Sequence, residues 1–301
     1  MIANILSSLI WLPIISGLLI LFYSKKVSYL NIYNIFINFI VFLLSIFLLI
    51  NFNESSSEFQ FVENIHWIPS LNIFYYLGVD AISVLLILLN TIIFLIVSIY
   101  NSTLSLKKTN HYYASFLIAN GLTIGVFCAL DAILFYIFFE ALLIPMFLII
   151  GIWGGANRIY ASIKFFIYTF LGSILLLISF LYINSSISSF NVNSFYGANF
   201  SLIEQEWLFM AMAIAFAIKI PMFPFHTWLP DAHVEAPTSG SVVLAAILLK
   251  VGAYGFIRYV LPVVPLGAMS LDIYFIVLSL IAIVYVGIVA ISQNDMKKLI
   301  A

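Results

Sequence analysis

The chain has 301 residues, of which 64% are hydrophobic and 8% charged, and its formal net charge is −1. A soluble domain carries about 25% charged residues to stay hydrated, so this composition excludes a water-facing surface. The near-zero balance excludes the strongly basic character of a nucleic-acid binder.

Apolar blocks of roughly 18 or more residues with few charges can cross a bilayer core about 30 Å thick. The sequence predicts an all-α integral membrane protein with nine such spans, near 2–22, 30–50, 78–100, 111–130, 132–151, 159–182, 205–220, 238–260 and 272–291. The first is too long for a signal-peptide core and has neither a basic leader nor a cleavage site, so it is expected to be retained. Segment 51–77, with Glu54, Glu58 and Glu63, and segment 184–204, rich in Ser, Asn and Gly, are expected to be polar loops with room for short strands. His66 and His111 fall in or beside loops and are expected in solvent. Cys128 sits in an apolar run and reads as a buried, inert thiol. The sequence contains no metal-spaced Cys/His cluster, Gly-rich phosphate loop, CxxC pair or haem motif, and so no visible seat for a redox cofactor. Abundant Ile, Phe, Asn and Tyr suit an AT-rich coding genome, mitochondrial or bacterial.

Basic residues near helix ends stay on the cytoplasmic or matrix side. Lys25, Lys26, Lys107, Lys108, Arg158, Lys297 and Lys298 all fall in alternate loops of the nine-span count, on one side. The opposite loops carry mainly carboxylates, and Arg258, at the far end of the eighth span, is the basic exception. The N-terminus is therefore expected to face outward.

Several charged positions lie in or at the ends of the spans, and a charge at bilayer depth costs at least about 2.5 kcal/mol on insertion scales. Glu140 is near the middle of its span. Burial favours its neutral form and a nearby cation its charged form. Pro145 leaves the Ala141 carbonyl without its helical partner and is expected to kink the helix. Lys164, one turn into its span, reads as snorkelling to the interface or as part of a polar axis. Lys219 precedes Pro221, Pro224 and Pro230, a proline density that breaks the seventh span. Broken backbone at membrane depth is tolerated where protein or a water-filled cavity satisfies it, and transporters place ion sites there; a snorkelling lysine is the alternative. Lys250 lies halfway along its span, where desolvation favours proton release. Between the seventh and eighth spans, His226 is open to a proton relay, a structural hydrogen bond or metal binding. His233 reads as structural, and Asp231 and Glu235 as anchors of the broken segment. No nucleophile, base and oxyanion arrangement emerges, which argues against hydrolysis.

The run Ala215–Ser241, AFAIKIPMFPFHTWLPDAHVEAPTSGS, resembles the signature of the antiporter-like membrane subunits of respiratory complex I. Continued through Leu249–Gly255, LKVGAYG, and with Phe138-Phe139-Glu140 and Pro145 upstream, the pattern is most similar to the group of the fourth mitochondrial NADH dehydrogenase subunit and its bacterial counterpart. The resemblance runs from about Leu77 to Ala301. It implies two inverted repeats of five helices, with the fourth to eighth spans as the first repeat and the discontinuous seventh span as its broken helix. The expected divisions are 1–110, 111–260 and 261–301. It implies a carboxylate and lysine pair, Glu140 and Lys219, and a central lysine, Lys250; with His226 these are the expected proton-translocation residues. The function implied is a proton half-channel of NADH:ubiquinone oxidoreductase, with NADH, FMN, iron–sulfur clusters and ubiquinone held by partner subunits and no cofactor bound here. Implied partners are other membrane-arm subunits and lipids, in a mitochondrial inner membrane or, alternatively, a bacterial plasma membrane. Two rivals stay open: a subunit of a sodium/proton antiporter or membrane-bound hydrogenase, and a scaffold that does not translocate.

Family members continue beyond Ala301 into a second repeat. The residues after Gln293 make roughly 12 Å of helix at 1.5 Å per residue, too little to span. The expectation is a separate chain that supplies the second repeat; proteolysis would leave the same sequence.

Overall fold

In the computed structural model, residues 4–22, 27–104 and 108–300 are described. Lys25, Lys26 and Lys107 of the expected basic side lie outside them. The chain packs as two compact units, one up to Ile149 and one from Ile150.

The first unit contains α1 (Ile5–Leu21), α2 (Val27–Ile50), a hairpin of β1 (Gln60–Ile68) and β2 (Ile73–Val79), α3 (Ala81–Ser102), α4 (Thr109–Cys128) and α5 (Ala132–Ala141). α6 (Leu143–Trp153) continues α5. The strands pair antiparallel, with Glu63 opposite Leu77 and Ile65 opposite Tyr75. Expected loop 51–77 is thus largely a hairpin, made of Val, Ile, Phe and Tyr that favour extended backbone.

α4 is the centre of this unit, and most of its residues are buried. It has few purely aliphatic positions because it faces protein rather than lipid. α1 closes on it through glycine: a Cβ on Gly121 would meet the Ile10 carbonyl at 2.4 Å. A column of amides joins α2, α3 and α4. Asn38 donates to the Asn34 carbonyl at 2.9 Å, Asn120 donates to Asn38 at 2.9 Å, and Asn90 donates to Asn120 at 2.7 Å. Ser45 and Thr91 meet at 2.7 Å, and the Tyr113 hydroxyl donates to Asn31 at 2.6 Å. In an apolar medium each of these groups has to find its partner within the protein. Cys128, at the end of α4, is buried as expected, and His66 and His111 are exposed.

Carboxylates fix the hairpin and the helix starts around it. Glu63 accepts from the backbone N–H of Leu6 at 2.8 Å and of Ser7 at 3.2 Å, and from the Ser7 hydroxyl. The Tyr75 hydroxyl accepts from Trp11 Nε1 at 3.0 Å. Asp131 caps α5, taking the N–H of Ile133 and Leu134, both at 3.0 Å, and that of Phe74 on β2 at 3.2 Å. Burial pushes the Asp131 carboxyl up to about 6, with those N–H donors opposing the rise.

The second unit contains α7 (Arg158–Ile187), α8 (Val192–Tyr196), α9 (Leu202–Lys219), α10 (Trp228–Glu235), α11 (Thr238–Val243), α12 (Leu249–Gly255), α13 (Leu261–Val263), α14 (Pro265–Ile291) and α15 (Met296–Ile300). π-helical segments Leu244–Leu248 and Phe256–Val260 join α11, α12 and α13 into one helix, Thr238–Val263. All nine expected spans coincide with helices, with ends shifted by a few residues. Among the described residues, six helices are long and apolar enough to cross a bilayer: Tyr29–Ile50, Ala81–Ser102, Ala132–Trp153, Arg158–Ile187, Thr238–Val263 and Pro265–Ile291. α1 is shorter, at 17 residues. α4 holds Asn110, His111 and Asn120, and α9 holds Glu204, Glu206 and Lys219, which lowers their apolar character.

Candidate functional site

α9 begins with a capping box, in which Ser201 and Glu204 exchange bonds with each other's backbone. It runs regularly until Pro221 and Pro224 remove two backbone donors. Its last bonds are Ile220 N–H to the Phe216 carbonyl at 2.8 Å and Met222 N–H to the Ala217 carbonyl at 2.7 Å. The peptide Phe223–Pro224 is cis. The Ile218 carbonyl is taken by Trp228 Nε1, at 2.8 Å, from the start of α10. Trp228 is fully buried and packs against Phe165, with ring centroids 5.4 Å apart. The break is therefore held by a side chain ten residues beyond the carbonyl it satisfies.

Lys219, the last residue of α9, is 1% exposed. That burial goes against snorkelling to an interface. It packs on the helix that carries Lys250 through a glycine notch. A Cβ on Gly252 would lie 3.1 Å from both Lys219 Cβ and Ile220 N, and a Cβ on Gly255 would lie 2.1 Å from the Phe216 ring. Only the two missing side chains let α9 approach so closely.

Lys250 directly follows Leu249, just beyond the first π-segment, and its Nζ donates to the Ala245 carbonyl at 2.8 Å. Its side chain lies on an exposed face of the unit, although its depth along the helix is the one expected. π-Helical turns are rare and recur at functional sites.

The segment between α9 and α11 is anchored by charge. Asp231 pairs with Lys164 at 2.7 Å. Glu235 takes the Asn157 N–H at 2.9 Å, next to the start of α7. Lys297 Nζ donates to the carbonyls of Val234 and Ala236 at 2.9 and 2.8 Å, closing the C-terminal end of α10. Asp231 and Glu235 thus anchor the broken segment as expected, and Lys164 joins it rather than only snorkelling. From sequence Lys297 reads only as part of the basic side, and Trp228 and the notch glycines have no assigned role; Pro-rich breaks flanked by Trp and Gly are the signal that points to the latter.

His226 has ring neighbours Phe223 at 5.7 Å and Tyr285 at 6.0 Å, and a buried Nδ1. It lines a cavity of about 210 Å³ with Pro221, Gln293 and Lys298. His233 is buried, and its backbone carbonyl accepts from the Ser241 hydroxyl at 2.8 Å. Among the described residues no group of three or more His, Cys, Asp or Glu is placed to hold a metal ion.

Glu140 belongs to the first unit. Its Oε1 is buried, and the α-helical pattern is interrupted at Leu142, between α5 and α6, where Pro145 removes a donor. In each unit a buried protonatable group lies beside an interrupted helix, Glu140 in the first and Lys219 in the second.

Comparison with known proteins places these features in a family. Residues 129–301 match the model of the NADH:quinone oxidoreductase/Mrp antiporter transmembrane family. The chain is 46% identical over 307 residues to NADH-quinone oxidoreductase subunit M of Rickettsia typhi, covering 99% of this chain and 62% of that one. It is 42% identical over 301 residues to NADH-ubiquinone oxidoreductase chain 4 of Marchantia polymorpha, covering 98% and 60%. Its fold matches a chain of respiratory complex I from Thermus thermophilus with TM-score 0.86 and 26% identity, over 98% of this chain and 61% of that one. The chain thus spans about three fifths of the length of these relatives. With a family match across the broken helix and both lysine-bearing elements, this chain belongs to the NADH:quinone oxidoreductase/Mrp antiporter family of membrane proteins.

Proposed function

We propose that this chain is a proton-translocating membrane-arm subunit of an NADH:quinone oxidoreductase and carries one proton half-channel. The observation that carries the reading is Lys219: a buried lysine ends a broken helix and packs at Gly252, on the helix of Lys250. A proton enters from the matrix or cytoplasmic side, by way of His226 and its cavity, reaches Lys219 and passes over bound water to Lys250. Glu140 shifts the balance between loading and release at Lys219 by moving toward or away from it. One unit of pKa is worth about 1.4 kcal/mol, so a small movement of a buried charge is enough to switch the site.

NADH oxidation and quinone reduction, with FMN, iron–sulfur clusters and ubiquinone, belong to partner subunits. The partners are neighbouring membrane-arm subunits; the first repeat covers 111–260. Identity of 46% to a named quinone oxidoreductase subunit supports this assembly over a sodium/proton antiporter.

Glu140→Ala or Lys219→Ala is expected to abolish most NADH-driven proton pumping at equal complex content. Wild-type pumping by both variants would sink the proposal, and wild-type pumping by Lys250→Ala would assign the chain to a scaffold role.

A further inference from the structure

The helix of Lys250 also carries Arg258, the basic exception that falls on the side expected to face outward. Arg258 is 7% exposed and lies in the second π-segment, Phe256–Val260. Its Nε donates to the Tyr254 hydroxyl at 3.2 Å, and its guanidinium lies 5.1 Å from the centroid of that ring. Tyr254 is buried. Lys250, Tyr254 and Arg258 follow one another at intervals of four and so lie along one stripe of the helix, which runs from the exposed side at Lys250 to the buried side at Tyr254 and Arg258. Its two cations are roughly 12 Å apart along the axis, at 1.5 Å per residue.

The outward end of the stripe is also closed. The Tyr196 hydroxyl of α8 donates to the Arg258 carbonyl at 3.0 Å. Phe180 packs between Tyr259 at 4.9 Å and Phe195 at 5.8 Å. A buried arginine on the outward side opposes both insertion cost and the positive-inside bias, so its place calls for a role.

The two cations differ in one respect. An ammonium can release its proton, whereas a guanidinium stays charged at any physiological pH. A fixed positive charge in a narrow, low-dielectric passage repels an entering proton, as arginines do in selective pores. We propose that Arg258 is an electrostatic barrier on the outward side of Lys250. It prevents a proton loaded on Lys250 from leaving outward along its own helix. Arg258 is a positioning residue: it acts on the route of the proton without carrying it. The proposal rests on the proton half-channel reading above.

The test uses the whole complex in proteoliposomes, with passive proton flux measured under an imposed gradient in the absence of NADH. Arg258→Gln is expected to raise that flux several-fold while electron transfer persists. Arg258→Lys, which keeps the charge, is expected to stay tight, and adding Lys250→Ala to Arg258→Gln is expected to remove the leak. Wild-type tightness in Arg258→Gln at equal complex content overturns the barrier. So does a leak of equal size in Arg258→Lys, or one that persists in the double variant. If Arg258→Gln does not assemble, Arg258→Met decides, since it removes the charge while keeping an unbranched side chain in the buried space: a raised flux supports the barrier and a wild-type flux overturns it. Failure of the underlying reading shows separately, as full NADH-driven pumping by Lys250→Ala alone.

Discussion

The Glu63 carboxylate takes the backbone N–H of Leu6 at 2.8 Å, so a strand residue 57 positions away caps the first helix. The first turn of a helix has N–H groups without intrahelical partners and a partial positive charge. Glu63 answers both. Glu63→Ala is expected to destabilise the first unit by about 1–2 kcal/mol, the range of a lost cap, and Glu63→Gln by less. Thermal unfolding of the solubilised protein measures it; equal melting of Glu63→Ala and wild type would remove the cap from the account.

Trp228→Phe keeps an aromatic ring against Phe165 and deletes the donor to the Ile218 carbonyl. An acceptor left buried and unsatisfied costs about 1–3 kcal/mol. Hydrogen exchange at Ile220 and Met222 is expected to quicken, because their bonds close the break. Unchanged protection there would show that the break is held by other means.

Gly255→Ala places a methyl 2.1 Å from the Phe216 ring, whereas a Cβ on Gly287 meets nothing within 4 Å. Overpacking of this kind costs about 1–3 kcal/mol. Alanine at an open helical position gains up to about 1 kcal/mol over glycine. The two substitutions are expected to move stability in opposite directions, and a denaturation series on both reads the difference.

The buried Asp131 carboxyl, raised to about 6, gives the first unit a pH dependence. Between its ordinary value near 4 and 6, the folded chain holds a proton that the unfolded chain has released. Stability therefore falls as pH rises through that window. Asp131→Asn is expected to flatten the slope between pH 4 and 6, which unfolding at stepped pH would show.

Helices were legible wherever apolar residues ran in blocks, and the break at Lys219 was legible because Pro221 and Pro224 cannot donate. Depth along a helix follows from residue count, which put Glu140 and Lys250 in the middle of their spans. The face a residue presents does not follow from depth, so the exposed side of Lys250 could be learned only from packing. Glu63 read as a loop acid because its partners, Leu6 and Ser7, are remote in sequence. The Lys164–Asp231 pair was hidden for the same reason: 67 residues separate its members. Trp228 sat inside the motif that carried the resemblance, yet its task depends on how the chain turns after Pro221.

The asparagine column bears on how the chain enters the membrane. α2 and α3, with Asn34, Asn38 and Asn90, carry amides that lipid cannot satisfy, and α4 brings Asn120, which bonds to both Asn38 and Asn90. Ribosomes deliver α2 and α3 before α4. Until α4 arrives, the earlier helices hold incomplete polar seams, and α4 alone is a poor lipid-facing segment. Its low apolar content becomes an advantage once the others are in place, since their exposed amides offer a polar groove for it to occupy. Biogenesis of the first unit is therefore a joint step, with the fourth helix acting as the closing piece for helices inserted ahead of it.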